Sequence, residues 1–289
     1  MKNIGGQAVI EGVLFRSQQG WAVAVRSPEG DIVLKSEKIK KGSKLTKIPL
    51  IRGFFILIDA VCLGIRAINF SSQVAFREKK TNPLSFILSL FFAILFGIAL
   101  FILLPLYATK FIGSVFDLIL LNTFVFNFFD GLIRVLIFIV YVYLVSLYPY
   151  MKRVFQYHGA EHKVINAFEA GEILNKDFVK RYSRFHIRCG TSFIFIVLVV
   201  SILVFSLIPS SWSFPLKALS RIILLPTIAG ISYELLRLMS KWRDSLLVKV
   251  FALPGLLFQK ITTREPDDTQ IEVALESLKE VLKLSGGKI

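Results

Sequence analysis

At 289 residues, 54% of them apolar and with a mean hydropathy of +0.64, the chain is too apolar for an ordinary soluble domain and reads as an integral membrane protein. Its net charge of +15 and pI near 9.9 would suit nucleic acid, but a membrane protein gathers Lys and Arg on its cytoplasmic side for topological reasons, so no nucleic-acid partner is expected. Two cysteines, Cys62 and Cys189, exclude a disulfide framework.

Residues 1–48 form a small β-rich cytoplasmic head. The opening MKNIGGQAVIEG is not a signal peptide, because a glycine pair and Glu11 interrupt the apolar core one would need. Trp21–Val25 and Asp31–Leu34 are β-prone runs joined by Ser27-Pro28-Glu29-Gly30, which has hairpin turn chemistry. Gln7–Phe15 adds a strand, and the basic run Lys35–Lys47 tethers the head to the membrane. Gly5-Gly6-Gln7 matches the tripeptide of peptidyl-tRNA hydrolysis, but three residues without that soluble architecture carry almost no weight.

Residues 49–82 are read as one amphipathic in-plane or re-entrant helix. Arg52, Asp59, Arg66 and Gln73 recur every seven positions, which draws a narrow polar stripe along an apolar cylinder. A crossing here would put the Lys-rich tether and Arg77, Lys79 and Lys80 on opposite sides, so the helix stays on the cytoplasmic face with its stripe against protein.

Residues 83–238 are read as a four-helix membrane domain. Crossing a ~30 Å hydrocarbon core takes about 20 helical residues. Four stretches qualify: Pro83–Thr109, Gly131–Tyr150, Thr191–Pro209 and Leu216–Leu238, the last interrupted by Arg221, Pro226 and Glu234. The Phe-rich 110–130 segment is expected as an apolar loop along the outer interface. Lys and Arg number 14 in residues 1–82, 8 in 151–190 and 9 in 237–289, against one each in 110–130 and 210–217. Both termini and the 151–190 insert are therefore placed in the cytoplasm of a multi-pass cell-membrane protein.

Residues 239–289 form a cytoplasmic C-terminal segment. Leu246–Phe258, with Pro254-Gly255, reads as an interfacial helix; a second helix over Thr269–Leu284 is N-capped by Asp268 and turns Ile271, Ala274, Leu275, Leu278 and Leu282 to one side. A single candidate helix break, Pro226, argues against an inverted-repeat transporter, and so few spans leave room for oligomerisation.

The reactive residues crowd the 151–190 insert. His158 and His162 are four apart, so on a helix their imidazoles leave one face, and Glu161 completes H-x-x-E-H. That order is the inverted zincin signature, in which two imidazoles hold a metal and the carboxylate takes a proton from water. The bland alternative is a juxtamembrane helix whose histidines bond backbone or headgroup phosphate, with Glu161 an exposed partner of Lys163 or Arg153. A catalytic metal needs a third protein ligand, for which Cys189, His186, Glu169 and Glu172 compete. Glu234 inside an apolar run is a further candidate, with a pair to Arg237 or a helix end at the interface as its structural reading.

Four blocks, Gly5-Gly6-Gln7-Ala8-Val9-Ile10-Glu11-Gly12-Val13, Tyr157-His158-Gly159-Ala160-Glu161-His162-Lys163, Arg188-Cys189-Gly190-Thr191-Ser192 and Thr262-Thr263-Arg264-Glu265-Pro266, occur in the same order in the YqhQ-like family of bacterial integral membrane proteins, which the chain resembles over nearly its whole length. The family is a domain of unknown function described as predicted metal-dependent enzymes. The resemblance implies a metal site, names no substrate, and adds Glu11 as a carboxylate for the same cleft. Val13-Leu14-Phe15-Arg16 departs from it by an apolar exchange where methionines are expected.

The leading expectation is a metal-dependent hydrolase at the cytoplasmic membrane surface, with zinc as the divalent transition metal on His158 and His162, Cys189 or a carboxylate completing the set, and Glu161 as base. Its substrate would be lipid-linked or a membrane-proximal peptide. The alternative is a non-enzymatic membrane scaffold with a structural metal. The orientation has its own check: a cysteine placed at Lys176 is expected to react with an impermeant maleimide only after the membrane is opened, and labelling from outside intact cells would reverse the topology.

Overall fold

The computed structural model describes residues 4–39, 48–77, 83–116, 122–242 and 245–286. It opens with an antiparallel meander of β1 (Gly5–Val9), β2 (Gly12–Arg16), β3 (Gly20–Arg26) and β4 (Ile32–Lys38). The helices are α1 (Ile51–Phe76), α2 (Pro83–Ile98), α3 (Leu104–Gly113), α4 (Thr123–Ser146), α5 (Pro149–Glu169), α6 (Lys176–Val179), α7 (Gly190–Phe205), α8 (Phe214–Lys241), α9 (Leu246–Thr262) and α10 (Asp268–Leu284), and a π-helical turn over Ala99–Leu103 joins α2 to α3.

The single strand expected over Gln7–Phe15 is two strands. The chain reverses at Ile10-Glu11 between the paired Val9 and Gly12, with Glu11 in the left-handed region at φ 50°. The tether begins inside β4, which takes in Lys35 and Lys38, and residues 40–47 lie outside the described residues.

The sheet is covered on both faces, which is why Gly20–Val25 of β3 is continuously buried. Val13, Phe15, Ala22 and Ala24 face α5 and α10, sharing one core with Tyr157, Val164, Ile271 and Leu278. Leu14, Trp21, Val23 and Val25 face Leu63 and Ala67 of α1. The C-terminal helix thus closes the N-terminal sheet. Its N-cap is Asp267, one residue before the expected Asp268, in a capping box with Gln270; Asp268 instead meets Lys180 at 2.6 Å.

α1 lies between this sheet and α8. Its buried positions are mostly small (Gly53, Leu63, Gly64, Ala67, Ser71), and a Cβ on Gly53 would stand 2.6 Å from the Cβ of Tyr233. Two residues of the stripe have protein partners: Arg52 donates through Nε to Glu234 at 2.6 Å, and Asp59 pairs with Arg16. Arg66 is exposed.

Among the described residues three helices are long and apolar enough to cross a membrane: Leu84–Gly113, Thr123–Ser146 and Phe214–Lys241. The first includes the π turn, and Pro226 sits inside the last without ending it. Part of the loop expected over 110–130 is the start of α4, capped by Asn122, whose Oδ1 accepts from the Val125 amide at 3.1 Å. α4 also stops four residues before the expected Tyr150, because Tyr148 is extended and Pro149 opens a new helix. The third expected crossing is helical only over the 16 residues of Gly190–Phe205. At 1.5 Å per residue that spans about 24 Å, short of a ~30 Å core. α9 runs four residues past the expected Phe258 and packs on α7, where a Cβ on Gly255 would come within 2.8 Å of Ser192 Oγ.

Since Leu278 is fully buried between sheet and α5, Leu278→Ala is expected to destabilise the chain by about 2–5 kcal/mol. Chemical denaturation in detergent, followed by Trp21 fluorescence with Trp212 and Trp242 replaced by Phe, reads the shift; an unchanged midpoint would mean that α10 does not hold the sheet.

Candidate metal centre

Helical periodicity supplies the first half of the site. His158 and His162 stack one turn apart on α5, with ring centroids 4.4 Å apart. The second half comes from the start of α7, where Cys189 is the N-cap and its sulfur accepts from the Thr191 amide at 3.3 Å. Cys189 Sγ lies 3.2 Å from His158 Nε2, and a ligand atom from each of His158, His162 and Cys189 falls within 4.8 Å of the other two.

The remaining ring nitrogens are held by backbone. His158 Nδ1 is 2.8 Å from the Thr262 carbonyl at the end of α9, and His162 Nδ1 is 2.6 Å from the Arg184 carbonyl. A carbonyl only accepts, so each Nδ1 carries a proton, and in the neutral ring Nε2 then keeps its lone pair. This is how metal-ligating histidines are oriented. Burial, reinforced by His158, lowers the pKa of His162 well below the ordinary imidazole range, which keeps it neutral. Burial also raises the Cys189 thiol, so the sulfur holds its proton until a cation displaces it. Two imidazoles and a displaceable thiol proton form a donor set that fits zinc.

Glu161 is beside these three and outside their cluster. Its Oε2 is 3.9 Å from His158 Nε2, and the carboxyl is pressed on β1 so closely that a Cβ on Gly6 would fall 2.5 Å from Oε1. Burial pushes its pKa up to about 8, against the opposing pull of His158.

The other candidates lie elsewhere. His186 neighbours His162, with ring centroids 5.8 Å apart, but its Nε2 is 3.5 Å from Glu169, which also pairs with Arg188. Glu172 accepts from the Tyr182 hydroxyl at 3.3 Å. Glu11 takes Arg153 on both oxygens at 2.5 Å and the Tyr157 hydroxyl at 3.2 Å, which clasps the β1–β2 turn to α5. Glu234 holds Arg52 and the Leu50 amide, so its partner is not the expected Arg237.

Residues that the sequence did not single out build the frame. Gln259 is fully buried and grips the loop before α7: its Oε1 accepts from the His186 amide at 2.9 Å, and its Nε2 donates to the His186 carbonyl at 2.9 Å and to Ser192 Oγ at 3.0 Å. No local pattern marks such a glutamine. Lys163 donates to the carbonyls of Lys180 and Tyr182 and pairs with Glu265 at 2.6 Å. Gly6, the α5 histidines, Cys189 and Thr262 come from all four sequence blocks and meet here.

Residues 48–284 match the family model described as protein of unknown function (DUF1385). Uncharacterized protein YqhQ of Bacillus subtilis (strain 168) is 37% identical over 300 residues, covering 97% of this chain and 92% of its own length. No solved structure matches the chain.

The two thiols should behave differently, since Cys62 is exposed and Cys189 is buried with its pKa raised. At neutral pH in detergent, iodoacetamide is expected to modify Cys62 and spare Cys189 until the protein is denatured. Mass spectrometry of the peptides decides; equal rates in the folded chain would contradict the buried placement of the sulfur.

Proposed function

The chain belongs to the DUF1385 family of proteins of unknown function, and on that premise we propose that it is a multi-pass membrane protein with a zinc-dependent hydrolase site at the cytoplasmic bilayer surface. The observation that carries this reading is the pair of Nδ1-to-carbonyl bonds, which leaves both Nε2 lone pairs available beside Cys189 Sγ. Preset tautomers on two histidines, with a sulfur against one of them, form a ligand set more readily than a pair of structural histidines. Zinc held there would supply Lewis acidity at a carbonyl or phosphoryl centre. Glu161 stands next to that position and outside the ligand set; burial keeps it largely protonated at neutral pH, and a dication held beside it would favour the carboxylate, which would then accept a proton from water.

Membrane placement follows from the helices that frame the site. α5 starts three residues after the apolar α4 ends, and Cys189 immediately precedes the apolar α7. Substrates that reach such a position are lipid-linked or membrane-proximal peptides. In this reading α7 is the fourth span, with its shortfall met by local thinning of the bilayer, and the Lys and Arg distribution puts both termini in the cytoplasm. A scaffold with a structural metal is the second reading, favoured by the burial of His162 and Cys189, which are 1% and 4% exposed.

Metal analysis tests the ligand set that both readings share, without a known substrate. Protein purified without chelator is expected to carry about one zinc per chain. His158→Ala, His162→Ala and Cys189→Ala should fall to background, while Glu161→Gln should keep its zinc, because the amide preserves shape and cannot take a proton. Metal-free wild type, or a double histidine variant with wild-type metal content, would remove the hydrolase reading.

A further inference from the structure

At the opposite end of the bundle, positive charge is buried in excess. α4 runs from Thr123 to Ser146, and its Ser146 end leads to the histidines. Near its other end Asp130 is fully buried and takes two guanidinium groups at 2.5 Å, from Arg134 and Arg221. The guanidinium of Arg134 also bonds Ser201 Oγ at 2.9 Å and the Phe101 carbonyl in the π turn at 3.0 Å; that of Arg221 bonds Asn127 at 3.1 Å, and its Nε is buried without a partner. Phe205 lies under both guanidiniums, at 4.8 and 5.2 Å.

One turn before Arg221, Lys217 is only 9% exposed, with Nζ 4.3 Å from the Phe126 ring centroid. It makes no ion pair among the described residues. Lys217 and Phe126 line a cavity of about 290 Å³ together with Lys110, Ser210, Trp212 and Ser213. Ser213 is also the N-cap of α8, with no side-chain cap bond, so the positive end of the helix dipole opens on the same space. Among the described residues three buried cations, Arg134, Arg221 and Lys217, thus face one buried carboxylate, Asp130, and Lys110 adds an exposed charge at the cavity, where helices cross an apolar medium. Unneutralised charge is costly there.

We propose that this cavity binds a phosphate-bearing anion, which supplies the countercharge for Lys217 and Lys110. The site rests on the reading that these helices cross a membrane, and is independent of the metal. Its size admits a phosphate group with part of a lipid headgroup, Trp212 gives an amphipathic wall at the interface, and the two lysines approach from α3 and α8. The lipid headgroup and free phosphate share this chemistry.

The test uses the full chain, delipidated in neutral detergent and titrated with phosphatidylglycerol, with phosphatidylcholine or with inorganic phosphate. Bound lipid is counted by native mass spectrometry, and Trp212 fluorescence, read with Trp21 and Trp242 replaced by Phe, follows the cavity. Wild type is expected to bind phosphatidylglycerol saturably in preference to phosphatidylcholine, and Lys217→Gln to lose about tenfold or more in affinity, since it removes a desolvated charge. Lys110→Gln should weaken binding in the same direction and serves if Lys217→Gln does not fold. Competition by inorganic phosphate at matching concentrations assigns the site to the free anion; failure to compete assigns it to the lipid. The proposal is overturned if wild type shows neither lipid preference nor a phosphate response, or if both lysine variants bind as wild type does. It also falls if binding emerges only in Asp117→Asn, a residue outside the described ones, because the lysines would then be neutralised by the chain itself. A chain that stays in solution without detergent would defeat the membrane reading separately.

Discussion

The close approach of residues 262–266 to α5 is the contact on which the site depends. It exists because residue 159 has no side chain: a Cβ there would lie 2.1 Å from the Arg264 carbonyl oxygen and 3.3 Å from Pro266 Cδ. With glycine in place the Arg264 amide donates to the Phe155 carbonyl at 2.8 Å, and the Thr262 carbonyl falls against His158 Nδ1. The same few residues connect α9, which packs on α7, to α10, which covers the sheet. The backbone that sets one histidine's tautomer therefore also joins the apolar helices to the core around the sheet.

Local pattern made much of this legible, and long-range contact explains the rest. The i, i+4 spacing of His158 and His162 needs only a helix, and a helix forms. Cys189 could be nominated as a ligand, but its selection over His186 depends on Gln259, 70 residues further on and unmarked by any motif. Glu11 and Glu234 have chemistry that suits a site, yet each has a cation in reach from a distant element, Arg153 or Arg52, and so works as a clasp. Helix limits failed where one residue's backbone decided them, as at Tyr148-Pro149, or where hydropathy ran past the helix end, as after Phe205.

The chain places its ionisable residues in two ways at the two ends of α4. Near Ser146 they are arranged with backbone carbonyls and neutral rings, which leaves lone pairs facing inward. Towards Thr123 two guanidiniums hold the buried carboxylate of Asp130, and two lysines line the cavity beyond. The first arrangement suits a cation and the second an anion. At 1.5 Å per residue Asp130 lies about 24 Å along this helix from Ser146, so neither set of charges neutralises the other.

Glu161 links the N-terminal sheet to the histidines. Its carboxyl touches Gly6, and the neighbouring Gln7 donates to the Ala60 carbonyl of α1 at 3.3 Å, against Gly64, where a Cβ would clash with the Gln7 side chain. The strand that packs on Glu161 is therefore located by α1 on one side and by α5 on the other. Any movement of α1 relative to α5 must either shift β1 across the carboxyl or break its hold on one of the two helices. The small residues Gly6 and Gly64 set how near the strand can come, and with it how dry Glu161 is. Since desolvation is the main cause raising its pKa, the position of the sheet bears on the protonation of the carboxyl beside His158, His162 and Cys189.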